Sequence, residues 1–513
     1  MNAKNNIAKS ATLITLMMLA FKILGFVKQA VIAYVFGATV ETDIYFIAWG
    51  FITGISEAIV KALLVSLVAI YTSIRIQKGQ EVACKLINAL LEILVPVFLL
   101  LVTVIYLCAP LFSRVLAPTY DGSSLNTLAF FIQILSPVLL FGCFELIFGA
   151  IEDSFKEFMV PRLQSLIYSL CVICACFTLS SHFGIYALVI AQFVSSFVFI
   201  IMLLFAIKKH HHFSIVNPKQ IPELKEVLFT AIPLFIGNSA LQINQIVDKS
   251  ITSGLGTGTA SALSYCHTLE QFVTNIMIVN IGNVMFANFA EFVAKEEYDN
   301  VKSVLYRAID ILVILLGYIS IIVFFCAEDI VSIVYYRGSF SYEAVRLTAI
   351  ALIGYAISFI AVAIRDLSIK SLYAFKDTRR PMYASIISIC TNVFLSILLS
   401  RYIGILGIAL ATSISAFIGA IINGVSLKKH LLGYRYSKHI ITFIKCIPGL
   451  CAVALACFMI NGLFDFGYFS NFALCSCIGF LVYIVVLYLC RVEEVKIIGV
   501  IIRNKMGIKR LKR

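Results

Sequence analysis

Apolar residues run along this chain in blocks of about 20, the length a helix needs to cross roughly 30 Å of hydrocarbon, and short polar or glycine-bearing segments separate the blocks. The period-two alternation of an outer-membrane barrel does not occur. The blocks predict helices near residues 8 to 34, 44 to 72, 84 to 110, 125 to 150, 160 to 180, 184 to 207, 226 to 251, 259 to 290, 303 to 326, 343 to 369, 382 to 400, 404 to 426, 439 to 461 and 469 to 490. No short apolar core with a small-residue cleavage site follows Met1 to Ser10, so the first block reads as an uncleaved spanning helix. The expected fold class is an all-α polytopic membrane protein of about 14 transmembrane helices.

The chain also resembles itself. A gapless shift of 220 residues sets Ser154-Phe155-Lys156-Glu157 on Ala374-Phe375-Lys376-Asp377, Pro161 on Pro381, Ser165 on Ser385, Gly184 on Gly404 and Ser195 on Ser415. Apolar matches arise by chance between membrane helices, but a coincident loop, proline and glycine do not. Six helices separate the copies, so the halves share one orientation. Transporters built this way bind substrate between their halves and rock to expose it alternately. The expected organisation is an N-lobe over 1–210, a C-lobe over 211–430, a helix pair over 431–490 and a tail over 491–513.

Composition agrees with lipid as the solvent, since 61% of the 513 residues are hydrophobic and 13% charged. A net charge of +13 raises nucleic acid as a partner, but the basic residues fall in alternate loops. Arg75, Lys78, Lys156, Arg162, Lys208, Lys209, Lys219, Lys295, Lys302, Lys370, Lys376, Arg379, Arg380, Lys428, Lys429, Arg435 and Lys438 mark one side. By the positive-inside rule that side is the cytoplasm of a bacterial inner membrane, and both termini lie there. No nucleic acid is expected. The tail pairs Ile497, Ile498, Val500 and Ile501 with six basic residues from Arg503 to Arg513, as an anchor on anionic lipid would. Fifteen cysteines lie mostly inside apolar runs, among them Cys171, Cys174, Cys176, Cys475 and Cys477, where they serve as small hydrophobes. His210, His211 and His212 form a run that can bind metal, though a solvated loop is the simpler reading.

Ionisable residues within spans are costly and are functional candidates by default. Lys22 and Lys28 in helix one are six apart, about 120° around a helix, and share a broad face, with Gly25 between them as a site for a bend. Lys61 and Glu57 stand at i and i+4 and are placed to neutralise each other. Asp43 opens helix two. The lysines suit a water-filled cavity for an anionic headgroup such as pyrophosphate, which ammonium groups bind as point charges. Glu92, Glu145, Asp310 and the pair Arg365 and Asp366 are further charges, and Asp248 and Glu270 are candidates for coupling to Na+ or H+. No phosphate-binding loop or zinc-protease motif occurs, so no catalytic residue, cofactor or definite metal site is expected.

Lys22-Ile23-Leu24-Gly25-Phe26-Val27-Lys28, Phe36-Gly37-Ala38 and Thr42-Asp43-Ile44-Tyr45-Phe46-Ile47-Ala48 resemble the opening of the MurJ (MviN) lipid II flippase family, within the multidrug/oligosaccharidyl-lipid/polysaccharide exporter superfamily. Tyr336-Arg337-Gly338-Ser339-Phe340 and Leu372-Tyr373-Ala374-Phe375-Lys376-Asp377-Thr378-Arg379-Arg380-Pro381 are similar to its later helices. The resemblance implies a flippase that carries lipid II to the outer leaflet for peptidoglycan synthesis by alternating access. Lys22, Lys28, Lys61 and Asp43 would then form the pyrophosphate site. It further implies a sodium site at Asp248, Asn392 and Thr412, with Ser396 where relatives carry a second acid; Glu57 and Glu270, read from the charges within the spans, complete the candidate coupling or gating set. Family arginines are replaced here by Lys22, Lys28, the Ser56-Glu57 pair and Thr268, and lysine does not reproduce arginine's bidentate fork. Other readings are a flippase for an O-antigen, capsule or exopolysaccharide unit, a drug or cation antiporter, and a scaffold for cell-wall enzymes. The protein is expected to act as a monomer, with cell-wall synthesis enzymes as candidate associates.

Overall fold

The computed structural model describes residues 2–155, 157, 159–463, 467–490 and 492, so the basic tail and the turn at Phe464 lie outside the described residues. Among the described residues the chain is helical, without strands. The long helices are α1 (Asn2–Phe36), α2 (Val40–Lys78), α3 (Gln80–Leu116), α4 (Gly122–Ser154), α5 (Met159–Thr178), α6 (Tyr186–Ile207) and α7 (Glu223–Ser253). They continue as α8 (Thr259–Ala294), α9 (Tyr298–Tyr335), α10 (Tyr342–Ala356 with Phe359–Ala374), α11 (Arg379–Ile403), α12 (Ile405–Leu427), α13 (Ser437–Leu463) and α14 (Tyr468–Leu489). Eleven of the described helices are long and apolar enough to cross a membrane, or twelve with α10 taken as one bent span. α1 and α7 are long helices outside that set.

The register of 220 reappears in the helix bounds. α4 breaks between Leu135 and Val138, where Pro137 supplies no N–H, and α10 bends by 48° between Ala356 and Phe359. Gly184 and Gly404 close the turns before α6 and α12 at φ +53° and +59°, and their N–H groups bond Ser180 O at 2.9 Å and Ser400 O at 3.0 Å. Glycine fits both places because its backbone enters the left-handed region without a Cβ clash.

The described chain forms two compact units, Met1–Ser264 with Arg337–Ala344, and Tyr265–Tyr336 with Val345–Arg513. In the first, α7 and the second part of α4 pack along α2, and α1 packs on α5. In the second, α11 packs on α12, and α13 and α14 pair with each other and with α9 over a core of Cys326, Val453, Cys457, Cys475 and Leu487. All fifteen cysteines are free thiols.

The turn from α1 to α2 is fixed within the first unit. Ser339 donates its N–H to Tyr34 O at 2.8 Å and its hydroxyl to Val35 O at 3.0 Å, so the last carbonyls of α1 are satisfied from a distant loop. The approach needs two glycines. A Cβ on Gly37 would lie 2.3 Å from Ser339 O, and one on Gly338 would lie 2.3 Å from Tyr34 O.

Candidate functional site

Two cavities open in the first unit. One, of about 430 Å³, is lined by Phe21, Lys22, Gly25 and Lys28 of α1 and by Pro161, Arg162, Gln164, Ser165, Tyr168 and Ser169 of α5. The other, of about 510 Å³, shares Pro161, Arg162, Gln164, Ser165 and Tyr168 and adds Trp49, Ser56, Glu57, Lys61, Glu145, Asp153 and Gln192 among others. The smaller cavity carries three cationic side chains and no carboxylate among its lining residues, whereas the larger one carries acids and bases together.

α1 runs without a break through Gly25, and Lys22 and Lys28 reach one cavity from this continuous helix. Neither lysine forms a salt bridge among the described residues. The Lys28 ammonium sits 3.9 Å above the centre of the Tyr168 ring, a cation–π contact that steadies it and leaves its charge uncancelled. Tyr168 is itself held, because Gln192 donates to its hydroxyl and stands 2.9 Å from Tyr45 Oη. Trp49, the chain's single tryptophan, stacks on Tyr168 at 5.8 Å and 26°.

Lys61 and Glu57 do pair, at 2.5 Å, and both remain about half exposed in the larger cavity. Gln242 donates to the same carboxylate at 3.2 Å. Arg162 bonds Asp153, and Gln164 bonds Glu145 at 2.5 Å. Lys61 is therefore a compensated charge, unlike the two lysines of α1.

Asp43 is placed elsewhere. It is 1% exposed, and its carboxylate accepts from Gly258 N and Ser261 N at 2.6 Å and from the Ser261 hydroxyl at 2.5 Å. Those are orphan donors at the start of α8, so Asp43 caps that helix and ties α2 to it. Asp248 is buried and accepts from Asn244 at 3.3 Å, while its neighbour Lys249 donates to Phe46 O at 3.1 Å against Gly50.

The remaining coupling candidates lie in the second unit. Glu270 stands 3.9 Å from His267 Nδ1, whose Nε2 is 3.4 Å from the Tyr355 hydroxyl. Asn392 donates to Thr412 at 3.0 Å and Ser415 at 3.3 Å, and accepts from Ser396 at 3.2 Å. Asn392 and Thr412 thus meet, in a cluster of amide and hydroxyl groups.

Sequence reasoning missed Arg162, Tyr168 and Trp49 as cavity residues. Arg162 reads as one more cytoplasmic charge, and the aromatics read as apolar helix. The usable signals were the solitary tryptophan and the repeat residues Pro161 and Ser165, which flank Arg162 and line both cavities.

Comparison with known proteins identifies the family and the fold. The family described as "Lipid II flippase MurJ" matches residues 32–481. The chain is 25% identical over 467 residues to a probable lipid II flippase MurJ of Buchnera aphidicola, spanning 89% of this chain and 90% of that protein. It is 24% identical over 459 residues to the counterpart in Rickettsia prowazekii, covering 88% of each. Among solved structures, a lipid II flippase MurJ in an inward closed conformation superposes with a TM-score of 0.80 at 22% identity, over 93% of this chain and 98% of the other. A multidrug MATE transporter of the MOP superfamily follows at a TM-score of 0.66 and 13% identity, over 80% and 94%. These structural likenesses describe the fold.

Proposed function

The chain belongs to the lipid II flippase MurJ family, and from that premise we propose that it moves lipid II across a bacterial cytoplasmic membrane, with both termini on the cytoplasmic side. In this reading Lys22, Lys28 and Arg162 hold the pyrophosphate in the smaller cavity. The sugars reach the larger cavity, where carboxylates, amides and the Trp49 face offer hydrogen bonds and stacking, and the polyprenyl tail stays in lipid. Lys61, already paired to Glu57, reinforces the site when that pair opens. The observation that carries the reading is the cavity lined by Lys22, Lys28 and Arg162, in which the two lysines form no salt bridge among the described residues while Arg162 is paired with Asp153.

The physics is that of anion binding by two lysines without a fixed counter-ion, with Arg162 shared between Asp153 and the ligand. An ammonium group that keeps its charge beside a low-dielectric wall attracts a diphosphate more strongly than one in bulk water. A drug or cation antiporter would present the opposite sign, so the same cavity argues against that class. Energy comes from outside the chain, and an ion gradient acting through Asp248 or Glu270 is the proposed source.

The test is translocation by purified protein in vesicles loaded with labelled lipid II on one leaflet. Accessibility of the label on the far side should rise with protein present. A polyprenyl-linked O-antigen unit measured alongside should move more slowly. Equal transport of both, or transport of the second alone, overturns the assignment to lipid II.

A further inference from the structure

The repeat brings two loops into comparison, one in each half. In the second half, Phe375 stacks on His430 at 4.9 Å and 15°, and His430 Nε2 lies 2.9 Å from Asp377 Oδ2. Arg380 completes an ion pair with the same oxygen at 2.8 Å. Burial works against ionising Asp377, but hydrogen bonds from His430 and Arg380 outweigh it and hold the carboxyl below its ordinary range. This loop balances its charges.

The equivalent positions 220 residues earlier repeat the frame. Phe155 stacks on His210 at 3.8 Å and 14°, and His210 Nε2 lies 3.4 Å from Glu157 Oε1. The backbone turn matches as well, since Glu157 N bonds Glu152 O at 3.0 Å as Asp377 N bonds Leu372 O at 3.0 Å. Two of the differences bear on the charge at this point. Val160 stands where the second copy has Arg380, and Glu152 stands where it has Leu372.

Glu152 is 0% exposed, and among the described residues no basic or amide donor bonds either of its carboxylate oxygens. A ligand atom of Glu152, one of Glu157 and one of His210 all lie within 4.8 Å of one another. Lys209 bonds the other oxygen of Glu157 at 2.5 Å and is half exposed, so its ammonium answers one of the two carboxylates. A buried carboxylate without a partner is costly, and a second acid beside it raises the cost. A bound cation removes both penalties.

We propose that Glu152, Glu157 and His210 form a site for a divalent first-row transition cation of the zinc class, bridging the loop after α4 to the segment after α6. One imidazole nitrogen with two carboxylate oxygens suits Zn2+ and its neighbours, whereas Mg2+ and Ca2+ prefer oxygen alone. His210 is pre-set for the role. Its ring is fixed by Phe155, its carbonyl accepts from Gln80, and the next residues are pinned to α3 by Asn88, which donates to His212 O at 3.0 Å. The second copy, with Leu372 and Arg380, is a built-in non-binding control.

The test uses untagged full-length protein in detergent, stripped with a chelator and titrated with Zn2+ alone. One equivalent of zinc should bind and survive excess Mg2+. Glu152→Leu, which copies the second half, and His210→Phe, which keeps the ring stack, should each weaken binding by at least about tenfold. His212→Ala should bind as the wild type does. Zinc retained by both variants, or lost with His212→Ala, overturns the site. So does a wild-type chain that takes up no zinc while Glu152→Leu raises its unfolding temperature, which would mark the two acids as a pair sharing a proton. Should Glu152→Leu fail to give monodisperse protein, the His210→Phe titration decides alone.

Discussion

Lys28 and Lys370 both lie within helices, Lys28 in the first compact unit and Lys370, which the sequence assigns to a cytoplasmic loop, in the last turns of α10 in the second, yet their surroundings are opposite. Lys370 donates to Asp366 Oδ2 at 2.8 Å and to Val279 O at 3.4 Å, and its side chain is 16% exposed. Val279 ends a π-helical turn, Asn275–Val279, inside α8, where the wider spacing leaves carbonyls in need of donors. Gly282 makes the room, since a Cβ there would lie 2.3 Å from Lys370 Nζ and 2.6 Å from Asp366 Oδ2. Lys28 has a ring beneath it, a cavity before it and no carboxylate beside it. A lysine in a membrane helix is thus no guide to function until its donors are counted. Lys370 has spent its charge on the fold, and in the proposed mechanism Lys28 keeps its charge for a ligand.

The sharpest way to break this contrast is charge reversal. Lys28→Glu should lower lipid II translocation in vesicles by at least about 100-fold, on the order of 3 kcal/mol of lost anion binding, with insertion and thermal stability near wild type. Lys22→Glu should follow closely. Lys61→Ala should cost only a few-fold, because Glu57 already occupies that ammonium. Transport unchanged by either α1 reversal would remove those lysines from the mechanism.

Lys370→Met should instead lower stability, by about 1 to 3 kcal/mol, because it leaves Asp366 part-buried without its partner. The double variant with Asp366→Leu should recover most of that loss, since replacing both partners by apolar groups is nearly neutral. A thermal unfolding series on the two single variants and the double variant measures the coupling. Should Lys370→Met stop transport without lowering stability, and the double variant fail to restore it, the two lysines would belong to one class after all.

How much of this was legible in the sequence follows the range of the physics involved. The helices and the repeat were legible, because hydrophobic runs are local and a register of 220 needs only matching positions such as Gly184 and Gly404. The pair Lys61 and Glu57 was legible too, since i,i+4 spacing fixes proximity on any helix. The part played by Asp43 was not. Its partners Gly258 and Ser261 are more than 200 residues away, and an acid near the start of a helix looks the same whether it caps another helix or faces a ligand. Arg162 was hidden for the opposite reason. It belongs to a basic loop by sequence and to two cavities by packing. That Lys22 and Lys28 reach the same space was legible in part, since six residues set them about 120° apart on one continuous helix.

A nitrogen base can also be buried with no charge at all, and His211 marks that end of the comparison. It is 3% exposed, its Nε2 lies 2.9 Å from Asn88 Oδ1, and its Nδ1 is buried without a partner among the described residues. Desolvation, with His212 adding to it, pushes its pKa from 6.5 down to about 4, so the folded chain keeps the ring neutral. The unfolded chain takes up a proton near 6.5 and the folded chain resists until about 4, so stability is constant above that window and falls as the pH drops through it. His211→Gln keeps a donor for Asn88 and cannot titrate. Unfolding temperatures measured from pH 7 to pH 4 should therefore fall less steeply for the variant than for the wild type, and parallel curves would show that His211 carries its proton in the folded chain as readily as in the unfolded one.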